Sequence, residues 1–325
     1  MKLHQNRKLF KQAITTASEQ TGLPEIFIEK DYWVTLALHS IFTSEIGESV
    51  IFKGGTALAK CFHIIERFSE DIDLVILRKP EDTGNQLKKR LKTITQLVSA
   101  KIPEIHIESI TNKMGMIRKT AHNYEKIFTG NFKQVRDNLI IESTWLAHFD
   151  PFTTAKVSSY IYDMMLRTRQ ENLAKEYDLT PFSVKVLDPT RTLCEKIMSL
   201  VRFSHTENPV EDLNNKIRHI YDIHQMLKDY KINDFFNSDD FEKMLIKVGN
   251  DDVVGFKSNN QWLKIHPKNA LIFNKSEKTW NLIKQTYLTN FKELVYGDFP
   301  KEQELLKTLQ RVSKRLENVN WNLNF

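Results

Sequence analysis

The spacing of apolar and polar residues changes several times along this chain, and each change marks an element. Between residues 5 and 45, Phe27, Ile28, Trp33, Val34, Leu36, Leu38 and Ile41 are dense enough for buried helix, and Gly22-Leu23-Pro24 breaks the segment early. Ser49-Val50-Ile51-Phe52 reads as a short buried strand stopped by Gly54-Gly55, with a helix from 56 to about 65 behind it. Asp71-Ile72-Asp73-Leu74-Val75-Ile76-Leu77 alternates and then runs apolar, as strands do, and Lys79-Pro80-Glu81-Asp82-Thr83-Gly84 ends it. Residues 87–98 are amphipathic with a helical period. Strands are expected at 105–110 and 139–145, with a polar stretch between them.

Past Pro181 the pattern becomes helical. Asp188-Pro189 supplies a helix N-cap and a first-turn proline, and Leu193, Ile197, Leu200 and Val201 form an i, i+4, i+7, i+8 stripe. Further helices are expected at 213–230, 275–294 and 301–317, the last with Leu305, Leu309, Val312 and Leu316 on one face. Strands and helices in front of a helical remainder predict an α+β fold. The expected divisions are an N-terminal helical segment (1–45), a core (46–170) and a C-terminal helical domain (171–325), with the boundary around 165–185. No internal repeat or low-complexity segment interrupts them.

Composition narrows this picture. The chain has 325 residues, 41 % of them hydrophobic and 27 % charged, enough for a substantial core and too apolar for global disorder. Ten Gly and nine Pro are too few for a sandwich or propeller that turns every ten residues. Cys61 and Cys194 are the only cysteines, which excludes a disulfide framework and a cysteine-based zinc site and predicts reduced thiols in the cytoplasm. The first residues carry no apolar run of the secretory type, and no uncharged apolar stretch reaches the ~18 residues of a membrane span, so no membrane association is expected. The net charge of +6 is uneven: residues 1–170 hold 24 Lys and Arg against 19 Asp and Glu. Such a field favours polyanions without selecting one.

Two motifs carry the candidate chemistry. Gly54-Gly55-Thr56 lies between an expected strand and an expected helix, where backbone N–H groups and the positive helix end can hold phosphate. A Gly-Gly turn on its own is also ordinary punctuation. Asp71 and Asp73 are two apart on a strand, so both carboxylates leave the same face and repel unless a cation sits between them. A hard divalent ion such as Mg²⁺ takes one or two carboxylates plus phosphate oxygens; the bland alternative is a solvated strand end. Together the motifs place a phosphate cradle beside a cation site, the arrangement that nucleotidyl transfer needs.

The runs Phe52-Lys53-Gly54-Gly55-Thr56-Ala57-Leu58 and Arg67-Phe68-Ser69-Glu70-Asp71-Ile72-Asp73-Leu74 resemble the signature of the AbiEii/AbiGii toxin family, within the DNA-polymerase-β-like nucleotidyltransferases. Glu29-Lys30-Asp31-Tyr32-Trp33, Glu195-Lys196, Arg218-His219-Ile220-Tyr221-Asp222 and Tyr296-Gly297-Asp298-Phe299-Pro300 are similar to family segments too, so the resemblance spans roughly 25–320. It implies a polymerase-β-like core, a mixed sheet with helices, followed by a helical domain. Gly54, Gly55 and Thr56 would hold the triphosphate of an NTP with Ser69 beside it, and Asp71 and Asp73 would bind catalytic Mg²⁺. Lys196 would match the helical lysine that contacts nucleotide phosphates, and Asp222 the late aspartate of the cleft. Related toxins attach nucleotides to tRNA acceptor ends in type IV toxin–antitoxin and phage-defence systems, which implies tRNA as acceptor and a cognate antitoxin as partner.

The residues read alone leave alternatives open. Lys196 stands at the edge of its helix's apolar stripe, where it can reach into a cleft or simply snorkel. Asp222 falls opposite the Leu213/Ile217/Ile220/Leu227 cluster and can be a surface i, i+4 partner of Arg218. Chemistry of the resembled kind commonly uses a third carboxylate, and Glu142 in Leu139-Ile140-Ile141-Glu142 is the candidate for metal binding or proton abstraction, unless it is merely an edge-strand acid. Lys113, Arg118, Lys119, His122, Tyr124, Lys126, Phe128, Phe132, Lys133 and Arg136 can track an RNA backbone or form a solvated hairpin. Lys307, Arg311, Lys314 and Arg315 read as the solvated face of the last helix. No histidine spacing suits zinc, and no acyl-transfer signature is present. Transfer to a protein or small-molecule hydroxyl, and a non-catalytic nucleic-acid or partner-binding module of the same fold, are the competing functions.

Overall fold

A computed structural model of the chain describes residues 1–130, 135–146, 148–257 and 259–325. It divides into two compact units, one of residues 1–63 and 68–187, the other of 64–67 and 188–325.

The first unit contains α1 (Arg7–Thr21), α2 (Glu25–Phe42), β1 (Val50–Lys53), α3 (Gly54–Phe62), β2 (Ile72–Ile76), α4 (Gly84–Ser99), β3 (Glu104–Ile105), β4 (Ile117–His122), β5 (Leu139–Thr144), β6 (Phe152–Val157), α5 (Tyr160–Arg167), α6 (Glu171–Glu176) and β7 (Phe182–Leu187). Its seven strands form one sheet in the order β3-β4-β5-β2-β1-β7-β6. The sheet is mixed: β2 is parallel to β5 and β1 to β7, while the β1–β2, β3–β4, β4–β5 and β6–β7 pairs are antiparallel. Val50, Ile51, Phe52, Ile72, Leu74, Val75, Ile76, Leu139, Ile140 and Ile141 are at most 2 % exposed, so the central strands are buried on both faces.

The expected helix break is present: Gly22 closes α1 at φ +71°, a left-handed conformation suited to glycine, and Pro24 opens α2. The strand expected over 105–110 shrinks to two residues, and the polar stretch after it contains β4. That strand is short on apolar alternation because Arg118 and Lys119 serve opposite faces, Arg118 donating to Thr95 Oγ1 and Lys119 pairing with Glu142. The expected core limit of 170 also shifts. β7 lies beyond it, yet pairs with β1 inside the sheet, and the N-terminal helices pack into this same unit.

Helix α2 is covered almost all round, by α1, α4 and α5 and by the sheet, although it carries three charges in succession. Each charge is matched. Glu29 accepts the backbone N–H groups of Ile127 (2.7 Å) and Phe128 (3.0 Å), Lys30 pairs with Glu70 at 2.7 Å, and Asp31 pairs with Lys60 and accepts the Tyr160 N–H at 2.9 Å. Burial raises the carboxyl pKa of Asp31 even against the Lys60 ammonium.

The second unit is helical: α7 (Pro189–Phe203), α8 (Pro209–Asn214), α9 (Ile217–Met226), α10 (Tyr230–Asn237), α11 (Asp239–Gly255), α12 (Leu271–Asn274), α13 (Ser276–Thr286) and α14 (Glu302–Leu316). Asp188 caps α7 by accepting the Thr190 N–H at 2.9 Å, and the four stripe residues of α7 are at most 1 % exposed. The single helix expected over 213–230 is two, α8 and α9, broken at residues 215–216. On α14, Arg315 donates to the Phe236 and Ser238 carbonyls at 2.9 and 2.8 Å, and Arg311 bonds Asn233. Two of the four basic residues expected to be solvated, Arg311 and Arg315, therefore fasten α14 to the end of α10, while Lys307 and Lys314 are exposed as expected. Among the described residues no helix is long and apolar enough to cross a membrane.

Asp31→Ala leaves the Lys60 ammonium buried without its carboxylate, so a stability loss of about 3–5 kcal/mol is expected from the denaturant midpoint. Adding Lys60→Met should recover much of it.

Candidate active site

The centre of the sheet carries a row of charges on one face. Register places Lys53 of β1 beside Asp73 of β2, Asp73 beside Glu142 of β5, and Glu142 beside Lys119 of β4. Cross-strand partners share a face, so four adjacent strands present plus, minus, minus, plus. Lys119 Nζ lies 3.1 Å from Glu142 Oε2. The Asp73 carboxyl is pushed up to about 7, first by burial, then by Asp71 and Glu142, and the lysines at the two ends of the row do not fully offset this.

Gly54 reaches this row from α3. Its φ of +83° is left-handed, and a Cβ at this position would fall 2.3 Å from Asp73 Oδ2. Both facts demand glycine: the backbone conformation and the close approach of the helix start to the carboxylate. The N-cap Lys53 makes no side-chain capping bond, so the first N–H groups of α3 have no side-chain cap. Thr56, one turn in, is buried; its hydroxyl donates to the Asp71 carbonyl at 2.6 Å and lies 3.0 Å from the Ser69 hydroxyl. Gly54, Thr56, Ser69, Asp71, Asp73 and Glu142, named from sequence, thus come together at the β1–α3 turn and the start of β2.

Two cations at this site were not identified by their sequence pattern. Arg136 Nη1 lies 2.7 and 2.9 Å from the two oxygens of Asp71. Lys53 joins through strand register alone. Alternation in β1 signals which face Lys53 takes, but pairing of β1 with β2 is needed to set it against Asp73.

The expected RNA-tracking stretch is consumed by the fold in part. His122 and Tyr124 are buried, and Tyr124 stacks on Trp33. Lys113 pairs with Glu104, Lys126 with the Tyr124 ring and Asn123, and the Phe128 backbone N–H donates to Glu29, its partly exposed ring taking no part in that bond. Buried aromatic rings cannot stack on bases. Phe132 and Lys133 lie outside the described residues.

Lys196 and Asp222 belong to the second unit. Asp222 is fully buried, which excludes a surface pair with Arg218. Arg67 Nε and Nη2 donate to its two oxygens at 2.7 and 2.8 Å, and Lys196 Nζ donates at 2.7 Å. Burial opposes ionisation of Asp222, but Arg67 and Lys196 outweigh it and hold the carboxyl well below its ordinary range. Helix α9 is buried on both faces: α7 and α14 pack on it, and Arg67 of the 64–67 segment reaches Asp222. That short segment is itself held by the Tyr296-Gly297-Asp298 turn: Tyr296 N–H donates to the Glu66 carbonyl at 3.0 Å and Asp298 N–H to Glu66 Oε2 at 3.1 Å. Arg67 is the partner that sequence reasoning missed, for it lies 155 positions from Asp222.

A divalent cation fits the first of these sites. Among the described residues no three His, Cys, Asp or Glu side chains converge as a preformed metal cage. Asp71, Asp73 and Glu142 are hard oxygen donors whose mutual repulsion at Asp73 the neighbouring lysines only partly offset, and Mg²⁺ characteristically completes such a set with phosphate oxygens.

The family model described as nucleotidyl transferase AbiEii toxin, type IV TA system, matches residues 36–308. Among solved structures, the nucleotidyltransferase toxin MenT4 from Mycobacterium tuberculosis H37Rv is similar, with 14 % identity, a TM-score of 0.49, and 94 % of this chain and 97 % of that chain covered. No curated protein matches the sequence.

Gly54→Ala is expected to cost about 1–2 kcal/mol from the left-handed backbone alone, read from chemical denaturation. Asp222→Ala leaves two buried cations facing each other, and a loss of at least about 3–5 kcal/mol is expected by the same measurement.

Proposed function

The chain belongs to the AbiEii family of nucleotidyltransferase toxins of type IV toxin–antitoxin systems, and from that premise we propose that it transfers an NMP from an NTP to a tRNA hydroxyl in a Mg²⁺-dependent reaction. The observation that carries this reading is the close approach of the Gly54 turn to Asp73, which sets an uncapped helix start against a row of carboxylates and their flanking cations. A polyphosphate can lie along the N–H groups of α3, with Thr56 and Ser69 at its side.

The acceptor oxygen forms a bond to the α-phosphorus, the bond from that phosphorus to the bridging oxygen breaks, and pyrophosphate leaves. Asp71 and Asp73, with Glu142 as third carboxylate, are the residues assigned to hold the cation, which supplies neutralisation of the charge developing on the transferred phosphoryl group. Glu142 is also the residue assigned to take the hydroxyl proton, and its place beside Asp73 supports this. Lys53 and Lys119 limit the negative potential of the row and so favour an anionic substrate. Lys196 is assigned to the nucleotide phosphates, supported by the similarity of its position and that of Asp222 to the family's helical lysine and late aspartate; Asp222, itself held by Arg67, orients its ammonium. A cognate antitoxin as partner and the cytoplasm as location complete the reading.

Purified protein incubated with each α-labelled NTP, Mg²⁺ and protein-free total tRNA is expected to label RNA. Asp73→Ala should lower the rate by at least about 10²-fold while the far-ultraviolet dichroism stays unchanged. Labelling that survives this substitution overturns the assignment of the carboxylates, and label appearing on protein moves the acceptor to a protein hydroxyl.

A further inference from the structure

The guanidinium on Asp71 is mounted by the fold. The Arg136 N–H donates to Glu70 Oε1 at 3.0 Å, so the residue before Asp71 holds the backbone of the residue that pairs with Asp71. The other Glu70 oxygen is 2.7 Å from Lys30 Nζ, and the same ammonium bonds the carbonyls of Arg136 and, at 3.2 Å, Asn138. The Lys30 side chain is fully buried and that of Glu70 is 7 % exposed. One buried ion pair thus locks the entry to β2 against the entry to β5, and Arg136 projects from the junction. Its own side chain is 45 % exposed, so the guanidinium can leave Asp71 while its backbone stays fixed.

We propose that Arg136 is the site's internal counter-ion, competing with the divalent cation for Asp71 and, once displaced, pairing with the phosphate chain of the nucleotide. This rests on the reading of Asp71 and Asp73 as cation ligands. A divalent ion approaching Asp71 must displace a bidentate guanidinium, which weakens binding of the cation alone. A cation arriving with a nucleotide supplies phosphate oxygens to the released guanidinium, and the lost pair is replaced by another of the same kind. Arg136 therefore penalises the bare cation and favours the cation–nucleotide combination. Joint loading follows from one side chain exchanging one anion for another.

The test uses the full chain and two titrations that need no turnover: Mn²⁺ alone followed by calorimetry, and a non-hydrolysable NTP analogue at saturating Mn²⁺. Arg136→Gln is expected to bind Mn²⁺ alone about 3–10-fold more tightly and the analogue about 10-fold more weakly, with Arg136→Lys between it and the native protein. A purely structural role moves both affinities the same way. Unchanged or weaker Mn²⁺ binding by Arg136→Gln overturns the proposal, as does Mn²⁺ binding to neither protein. If Mn²⁺ binds and the opposite shifts appear but no acceptor is labelled, the counter-ion role stands and the transfer reading fails.

Discussion

Asp73 and Glu142 stand beside one another on adjacent parallel strands, with Asp71 two residues away, and this concentration of like charge is the constraint around which the first unit is organised. Carboxylates so close remain ionised together only where cations flank them. The fold supplies Lys53 and Lys119 by register and Arg136 by a separate segment. It also brings backbone N–H groups within reach, since Gly54 lets α3 begin against Asp73 with no Cβ between them. The result is a surface with both an anion-binding helix start and a cation-binding carboxylate row, as phosphoryl chemistry requires.

Buried charges fix several segments of the chain. Glu29, Lys30 and Asp31 occupy consecutive positions on one helix and therefore point in different directions, so each secures a different part of the first unit: the segment after β4, the approaches to β2 and β5, and the α3 and α5 helices. In the second unit Asp222 gathers Arg67 and Lys196 at one carboxylate. Such pairs gain little net stability over apolar packing, but breaking one is costly.

Much of the fold was readable from period and punctuation. Helices α1, α2, α3, α4, α7 and α14 and strands β1, β2 and β5 follow apolar spacing, caps and glycine breaks, because in each the local pattern and the tertiary environment agree. β4, β6 and β7 were not readable. Arg118 and Lys119 make β4 resemble a basic loop, and β6 is an exposed edge strand whose sequence Phe-Thr-Thr-Ala-Lys-Val buries only its last residue. β7 alternates well enough, but its place beside β1 depends on a crossover from a distant part of the chain.

The sequence by itself determined the chemistry-bearing motifs, Gly54-Gly55-Thr56 and Ser69-x-Asp71-x-Asp73, and the family to which they point, because turn geometry and same-face carboxylates are local properties of a few residues. It also determined where α7 starts, since capping and first-turn proline act within one turn. Only the tertiary structure decided which charges meet. Lys53, Asp73, Glu142 and Lys119 align through the register of four strands; Arg136 finds Asp71, and Arg67 finds Asp222, across 65 and 155 positions. Electrostatic partnership depends on distance in space and on burial. Neither is set by spacing along a chain until the sheet is paired and the helices are packed.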